Sequence, residues 1–398
     1  MKKQMYLPFA FLCGVPFVMV LSNSMLIPVL PLMQSAMNLT AFQMGLIITA
    51  FSIPAGLTIP FAGYLSDRAG RKIVMVPALI IFGLGGLLGG IAALSNSSPF
   101  MLILAARVLQ GIGGGGTYQI AIALTGDIFQ TSERAKALGL LESSNGLGKV
   151  ISPIIGAALS MIAWFMPFFI YPIIAFPIAA GVWWIVKEPP LENKPKHFNT
   201  YISSAYNTFR KQATSILNAF LAGFIVLFML FGVLSYWSDI LDEKYNMAIM
   251  MRALVIAVPV LVMAVTSYLN GLFLQKSVSK YGKLVLASGV IVLALALPVV
   301  ALTDRLYVLM IAISVQGIGS GLVLPAVNTL ITGAAPREER GIITAFYGTI
   351  RFFGAALGPP IFGLLSQSPF ILFIGSALLT FGAGILAFIF IEVPETWC

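Results

Sequence analysis

Four polar residues share one stripe of an otherwise apolar segment: Glu142, Asn145, Lys149 and Ser152 stand at i, i+3, i+7 and i+10 of a helical repeat. A carboxylate in such a stripe can take up and release a proton, because burial favours its neutral form and a nearby cation its ionised form. An ammonium beside it can hold an anion. Lys149 lies about 10 Å along the helix from Glu142 at 1.5 Å per residue. That is too far for a relaxed direct pair, so each needs another partner, and Arg351 is a candidate for Glu142. Arg107 and Arg351 place two more cations inside apolar segments, where a charge costs on the order of 3 kcal/mol and needs a partner or water. For Arg107 two roles are open, a structural donor to the carbonyls of a neighbouring helix or a part in proton transfer. A further cluster, "GYLSDRAGRK" (Gly63 to Lys72), sets Asp67 beside Arg68, Arg71 and Lys72 at a chain reversal. It can serve as a charged anchor, or as a latch whose contacts form in one conformation and break in another.

The elements that must position these residues follow from composition. Of 398 residues, 59% are hydrophobic and 9% charged, and the mean hydropathy is +0.97. A soluble fold cannot cover that much apolar surface, so the solvent is lipid. A spanning helix needs about 20 apolar residues, and twelve such runs are expected, near 8–31, 42–65, 73–95, 100–125, 136–160, 164–186, 214–238, 250–274, 284–302, 306–331, 342–366 and 370–391. Barrel strands of alternating polarity are absent, which leaves helices as the spanning element. The lysine-led start resembles a signal peptide but lacks a cleavage site, and is read as a retained first helix. With the N-terminus cytoplasmic, seventeen of the 23 basic residues fall inside, while Lys244, Arg252 and Arg305 fall outside. This bias places both termini in the cytoplasm and explains the formal charge of +9 without nucleic acid. Cys13 and Cys398 form no disulfide or metal-ligand pattern.

A break at Lys187 to Gln212 divides the chain into two six-span halves, 1–187 and 213–398, joined by a cytoplasmic linker over 188–212. The halves repeat at an offset of 206 residues: "LQGIGGG" (Leu109 to Gly115) lies over "VQGIGSG" (Val315 to Gly321). In the same register Glu133 and Arg134 meet Glu339 and Arg340, Pro153 meets Pro359, and Asn145 meets Arg351. Parallel repeats of this kind belong to transporters whose site lies between the halves at mid-membrane. Gly113 to Gly116 lack the Lys and Ser or Thr of a phosphate loop, and read better as small residues for close helix contact. Gly148, Ser152 and Gly156 make a second such ridge.

These motifs carry a resemblance. "GYLSDRAGRK" is similar to the signature loop of the major facilitator superfamily, "RVLQGIGGG" (Arg107 to Gly115) to its second motif, and "NSMLIPVLP" (Asn23 to Pro31) to its first-span pattern. Gly139, Gly148, Ser152, Pro153 and Gly156 have the spacing of its antiporter motif, which "GAALGPPIFG" (Gly354 to Gly363) repeats. The resemblance implies an all-α membrane protein of twelve helices in two pseudo-symmetric halves. It implies a latch built from Gly63, Asp67, Arg68, Gly70 and Arg71, with Asp67 facing the start of span 11 and Arg71 reaching Asp127. In the second half Ser279 stands where the Asp belongs, so the two latches differ.

The expected function is export of drugs or other small molecules by alternating access in exchange for protons. Glu142 and Arg107 are the expected proton-coupling residues. Asn23, Gln110, Tyr118, Asn145, Lys149, Phe346, Tyr347 and Arg351 are the expected lining of the substrate cavity. No cofactor or metal is expected, the proton gradient being the energy source, and the partners are the bilayer, a small-molecule substrate and protons. The expected form is a monomer in the plasma membrane. Cations outnumber carboxylates in the spans, which favours an alternative cargo, an anionic or neutral metabolite such as a siderophore. Sugar or organic-acid symport is a third possibility, and a non-transporting receptor or scaffold a fourth. An enzyme is least supported, since the single His, His197, lies in the linker and no catalytic constellation is present.

Overall fold

Lipid offers no hydrogen bonds to a chain inside it, so each crossing segment must satisfy its backbone internally, and helices do so. The computed structural model describes residues 5–95, 99–129, 131–190, 213–334 and 340–391; the side chains of 131–136, 275–279, 332–334 and 340–341 are not among them. Helices occupy all twelve expected positions. They are α1 (Tyr6–Ser24), continued by a 3₁₀ turn (Ile27–Val29) and α2 (Leu30–Met37), then α3 (Ala41–Ala69), α4 (Arg71–Ala93), α5 (Pro99–Gly115), α6 (Tyr118–Ile128), α7 (Thr131–Ser160) and α8 (Met166–Ile185). The second half has α9 (Ala213–Glu243), α10 (Ile249–Leu302), α11 (Leu306–Ala334), α12 (Arg340–Leu364) and α13 (Pro369–Phe390). The expected linker and His197 lie almost wholly, over 191–212, outside the described residues.

Among the described residues, ten segments are long and apolar enough to cross a membrane. The other two expected spans are α7 and α12, which carry Glu142, Lys149 and Arg351 and so fall short in apolarity rather than in length. Leu57, Phe61 and Leu65 form an exposed apolar stripe on α3, and Leu378 and Leu379 do the same on α13. Arg107, Gln110 and Ser152 are meanwhile fully buried. An apolar outside around a partly polar inside is the arrangement lipid selects.

Three local features differ from expectation. The first span is broken by the 3₁₀ turn, where Pro28 and Pro31 remove two backbone donors. The fourth is divided into α5 and α6 at the end of the glycine run. The reversal expected near Ser277 to Lys283 is made without a non-helical break, so the two span-length segments Ile249–Leu274 and Lys280–Leu302 are parts of one element of 54 residues. That element is not straight. The backbone of α11 between Gly317 and Gly321 lies against both Pro259 to Met263 and Gly289 to Leu293, so α10 folds back between them. In the first half the matching reversal is made by Gly70 at φ +116°, a conformation glycine adopts readily.

The chain divides into two compact units, one of residues 1–39, 46–198 and 247–253, the other of 40–45, 199–246 and 254–398. Arg252, one of the three basic residues counted outside, is buried in the first turn of α10. Inside each unit the repeated glycine motif does the same job. In unit 1, a methyl group at Gly111 or Gly115 would strike the carbonyls of Phe51 or Ala55 on α3, and one at Gly113 would lie 2.6 Å from the Ala78 carbonyl on α4. In unit 2, methyls at Gly317 and Gly321 would lie 2.5 and 2.7 Å from the Pro259 and Met263 carbonyls, and one at Gly319 2.6 Å from the Gly289 carbonyl. Each motif thus wedges its helix between two neighbours at backbone contact, a packing role and not a phosphate site.

Candidate functional site

Arg107 is the centre of a polar cluster in unit 1. Its side chain is 0% exposed. Nη1 donates to Ser22 Oγ (2.9 Å) and Gln110 Oε1 (2.6 Å), Nη2 to Asn23 Oδ1 (2.6 Å) and Nε to the Ile47 carbonyl (3.2 Å). The guanidinium also lies over the Phe51 ring, 4.6 Å from its centroid. Asn23 Nδ2 donates to Ser52 Oγ at 2.8 Å, and Tyr171 Oη to the Ser22 carbonyl at 3.0 Å. Every acceptor on Arg107 is neutral, so the cluster holds a positive charge by dipoles and an aromatic face. Gln110 Nε2 is buried with no hydrogen-bond partner. The sequence singled out Arg107, Asn23 and Gln110 but missed Ser22, Ser52 and Tyr171. The signal for Ser22 was its place beside Asn23 in an apolar span.

The stripe on α7 has an exposed end at Glu142 and a buried end at Ser152. Glu142 is exposed, Lys149 half-buried, and Asn145 and Ser152 buried. The Tyr118 hydroxyl, at the start of α6, donates to Glu142 Oε1. Two residues nominated for different reasons are therefore joined. The adjoining glycine ridge faces α1: Gly148 lies on Phe17, and Gly156 meets the Met25 carbonyl. Pro153 lies within α7 between them. Gly139 has open space beside it and takes no part in that packing.

In unit 2, Phe346 is exposed while Tyr347 is 2% exposed, so neighbouring aromatics serve opposite faces of α12. Tyr347 stacks on Phe220 of α9 (centroids 5.9 Å apart) and packs against Gly223. Arg351 lies over the Tyr347 ring, 5.3 Å from its centroid. Gly354 and Gly358 then meet the carbonyls of Phe224 and Phe228, completing a seam between α12 and α9.

The charged loop between α3 and α4 is an ordered network. Arg71 pairs with Asp67, donates from Nε to Asp127 Oδ2 at 3.1 Å, and from Nη1 to Ser66 Oγ at 2.9 Å. Arg68 is exposed, and Gly63 has open space beside it. Sequence reasoning missed Glu188. Its carboxylate accepts the backbone N–H of Arg71 and, at 3.1 Å, that of Lys72, capping α4 at its N-terminus from a distant segment. In return Lys72 Nζ donates to the carbonyls of Trp183 (2.6 Å) and Val186 (2.7 Å) at the end of α8. The two helix ends cap one another. The available signal was "KEPP" (Lys187 to Pro190), a carboxylate just past an apolar span.

Residues 12–304 and 277–397 match the Major Facilitator Superfamily. The bacillibactin exporter of Bacillus subtilis (strain 168) is 38% identical over 369 residues, 92% of this chain and 92% of that protein. Multidrug resistance protein 2 of the same organism is 28% identical over 367 residues, 89% of this chain and 88% of that protein. Among solved structures, a bacterial homolog to the human lysosomal transporter Spinster, inward-facing and occupied, has a TM-score of 0.77 at 16% identity, covering 100% of this chain and 98% of that one. That last likeness shows the fold.

Proposed function

The chain belongs to the Major Facilitator Superfamily, and from that premise we propose that it exports a small organic molecule across the plasma membrane by alternating access, driven by proton entry. The observation that carries export is the identity of 38% over 92% of both chains to a protein named as an exporter. Cargo of the siderophore type is the first reading, since that identity exceeds the 28% to the multidrug protein. Multidrug export, with antibiotic resistance as its consequence, is the second. Both termini are cytoplasmic in this reading, and the working unit is the monomer.

Proton coupling is assigned to Glu142, with Tyr118 as the group that holds its carboxylate. The other carboxylates described in unit 1 helices, Asp67 and Asp127, are tied to Arg71 in the loop network. Arg107 enters as a fixed charge and not as a carrier, because four of its five N–H donors are held by neutral acceptors. Asp67, Arg71 and Asp127 form a latch that must open and close during the cycle.

The test is flux from proteoliposomes with an imposed pH gradient, against catecholate, neutral and cationic compounds. The expected result is gradient-driven efflux of at least one class with matching proton movement. Glu142→Gln is expected to abolish gradient-driven flux while leaving ligand binding in place. Undiminished flux of the Gln variant at the same gradient would remove Glu142 from the assignment, and no flux of any compound would remove export.

A further inference from the structure

Arg107 and Arg351 are arginines in apolar helices with opposite surroundings. Four hydrogen bonds to neutral groups hold Arg107. Arg351 lies near the middle of α12, with Nε buried and lacking a hydrogen-bond partner. No carboxylate pairs with it among the described residues. The Tyr347 hydroxyl, on the residue that carries the guanidinium over its ring, is likewise buried with no partner.

The sequence around the pair deepens the imbalance. The helices α10, α11, α12 and α13 contain no Asp or Glu at all, and α9 has acids only at its C-terminal end, Asp239, Asp242 and Glu243. Unit 2 therefore supplies no internal counter-ion at the depth of Arg351. A buried donor without an acceptor is costly, and more so when charged. Two such donors one helical turn apart, a planar guanidinium and a hydroxyl, are suited to one oxyanion. The lining adds apolar, flat surface: Phe220 stacks on Tyr347, and Phe224 and Phe228 stack at 5.9 Å on the facing α9.

We propose that Arg351 and Tyr347 form an anion subsite that takes the carboxylate or phenolate of an aromatic cargo molecule. This rests on the export reading for the word cargo, but not for the binding. The guanidinium supplies charge and a fork, the Tyr347 hydroxyl donates to the same oxyanion, and the phenylalanines of α9 meet the ring.

The test uses the full-length protein in lipid nanodiscs without a gradient, titrated with carboxyfluorescein as anionic probe and a rhodamine ester as cationic probe. Benzoate and benzamide are the competitors, at constant chloride. The wild type is expected to bind carboxyfluorescein saturably, with displacement by benzoate and not by benzamide. Arg351→Gln is expected to weaken that affinity about tenfold or more, with Arg351→Lys recovering part of it. Tyr347→Phe is expected to weaken it about threefold while leaving the melting temperature unchanged or raised, because the lost hydroxyl has no hydrogen-bond partner within the protein. Cationic probe affinity is expected to stay constant in all three. The proposal is overturned by absent saturable anion binding in the wild type, by unchanged anion affinity in folded Arg351→Gln, or by equal losses for both dyes. Should Arg351→Gln fail to fold, unchanged anion affinity in both Arg351→Lys and Tyr347→Phe overturns it. Anion binding that persists in a protein with no flux in liposomes counts against export alone; flux of a neutral compound without anion binding counts against this subsite alone.

Discussion

A single buried arginine shows how much of a site a residue type can announce. Arg107 was conspicuous as a charge in an apolar span, and the structure gives it four hydrogen bonds and the face of Phe51. Its acceptors on Ser22 and Asn23 come from one helix, α1, more than 80 residues away in sequence. Tertiary arrangement chooses such partners, and no local spacing encodes them. The consequence is testable: a lysine at this position offers a compact ammonium that cannot reach four separated acceptors. Arg107→Lys is expected to lower stability by about 2–4 kcal/mol, because buried acceptors lose their donors while the charge stays buried. Asn23→Ala is expected to act in the same direction by about 1–2 kcal/mol. Thermal unfolding in detergent measures both, and a wild-type melting temperature for Arg107→Lys would show that the shell does not hold the fold. Glu142 differs, since it is exposed and water can replace the hydrogen bond it accepts from the half-buried Tyr118. Tyr118→Phe is therefore expected to leave stability near wild type, and to alter flux only if the pair takes part in coupling.

At the scale of elements, glycines that look alike in sequence separate by what their helices touch. Gly139 and Gly156 belong to one spaced motif on α7, yet Gly139 has nothing within 4 Å, while a methyl at Gly156 would strike the Met25 carbonyl. Gly139→Ala is expected to be neutral, or stabilising by up to about 1 kcal/mol through helix propensity. Gly156→Ala is expected to cost about 1–3 kcal/mol by forcing α7 off α1. Comparable unfolding midpoints for the two would contradict the packing derived for that seam. Helix positions were legible because hydropathy runs are long, and the function of the glycine repeats was legible because small residues recur at helical spacing. The mutual cap of α4 and α8 was not, since Glu188 meets Arg71 and Lys72 across more than 110 residues. Removing that cap by Glu188→Ala frees two N–H groups at the start of α4 and is expected to weaken the first turn by about 1 kcal/mol. Hydrogen exchange at Arg71 to Met75 measures it, with faster exchange confined to that turn as the expected pattern.

At the scale of the whole molecule, sequence duplication reappears as duplicated packing inside each unit. Gly111, Gly113 and Gly115 on α5 and Gly317, Gly319 and Gly321 on α11 alternate between two neighbouring helices in the same way. The 206-residue offset could reveal this because backbone contact restricts side-chain size wherever it occurs. The reversal between spans 8 and 9 was legible in the hydropathy, and the apolar segments Ile249–Leu274 and Lys280–Leu302 bear it out; that it is made without the positive-φ residue that Gly70 supplies in unit 1, among the described residues, was not. Orientation rests on charge alone, and here the two halves of the surface give opposite expectations. Lys187 is an exposed cation just beyond α8. Lys244, also exposed, is paired with Asp304 beyond the far end of α9. The bias of basic residues toward one face places Lys187 in the cytoplasm and Lys244 outside. In a background with Cys13 and Cys398 replaced by Ala, Lys187→Cys is expected to resist an impermeant maleimide in sealed right-side-out vesicles and to react once they are opened. Lys244→Cys is expected to react in both. Both positions face water near helix ends, so a reagent can reach each from its own side, and labelling of Lys187→Cys in sealed vesicles would invert the topology and with it the inward placement of the Asp67, Arg71 and Asp127 network.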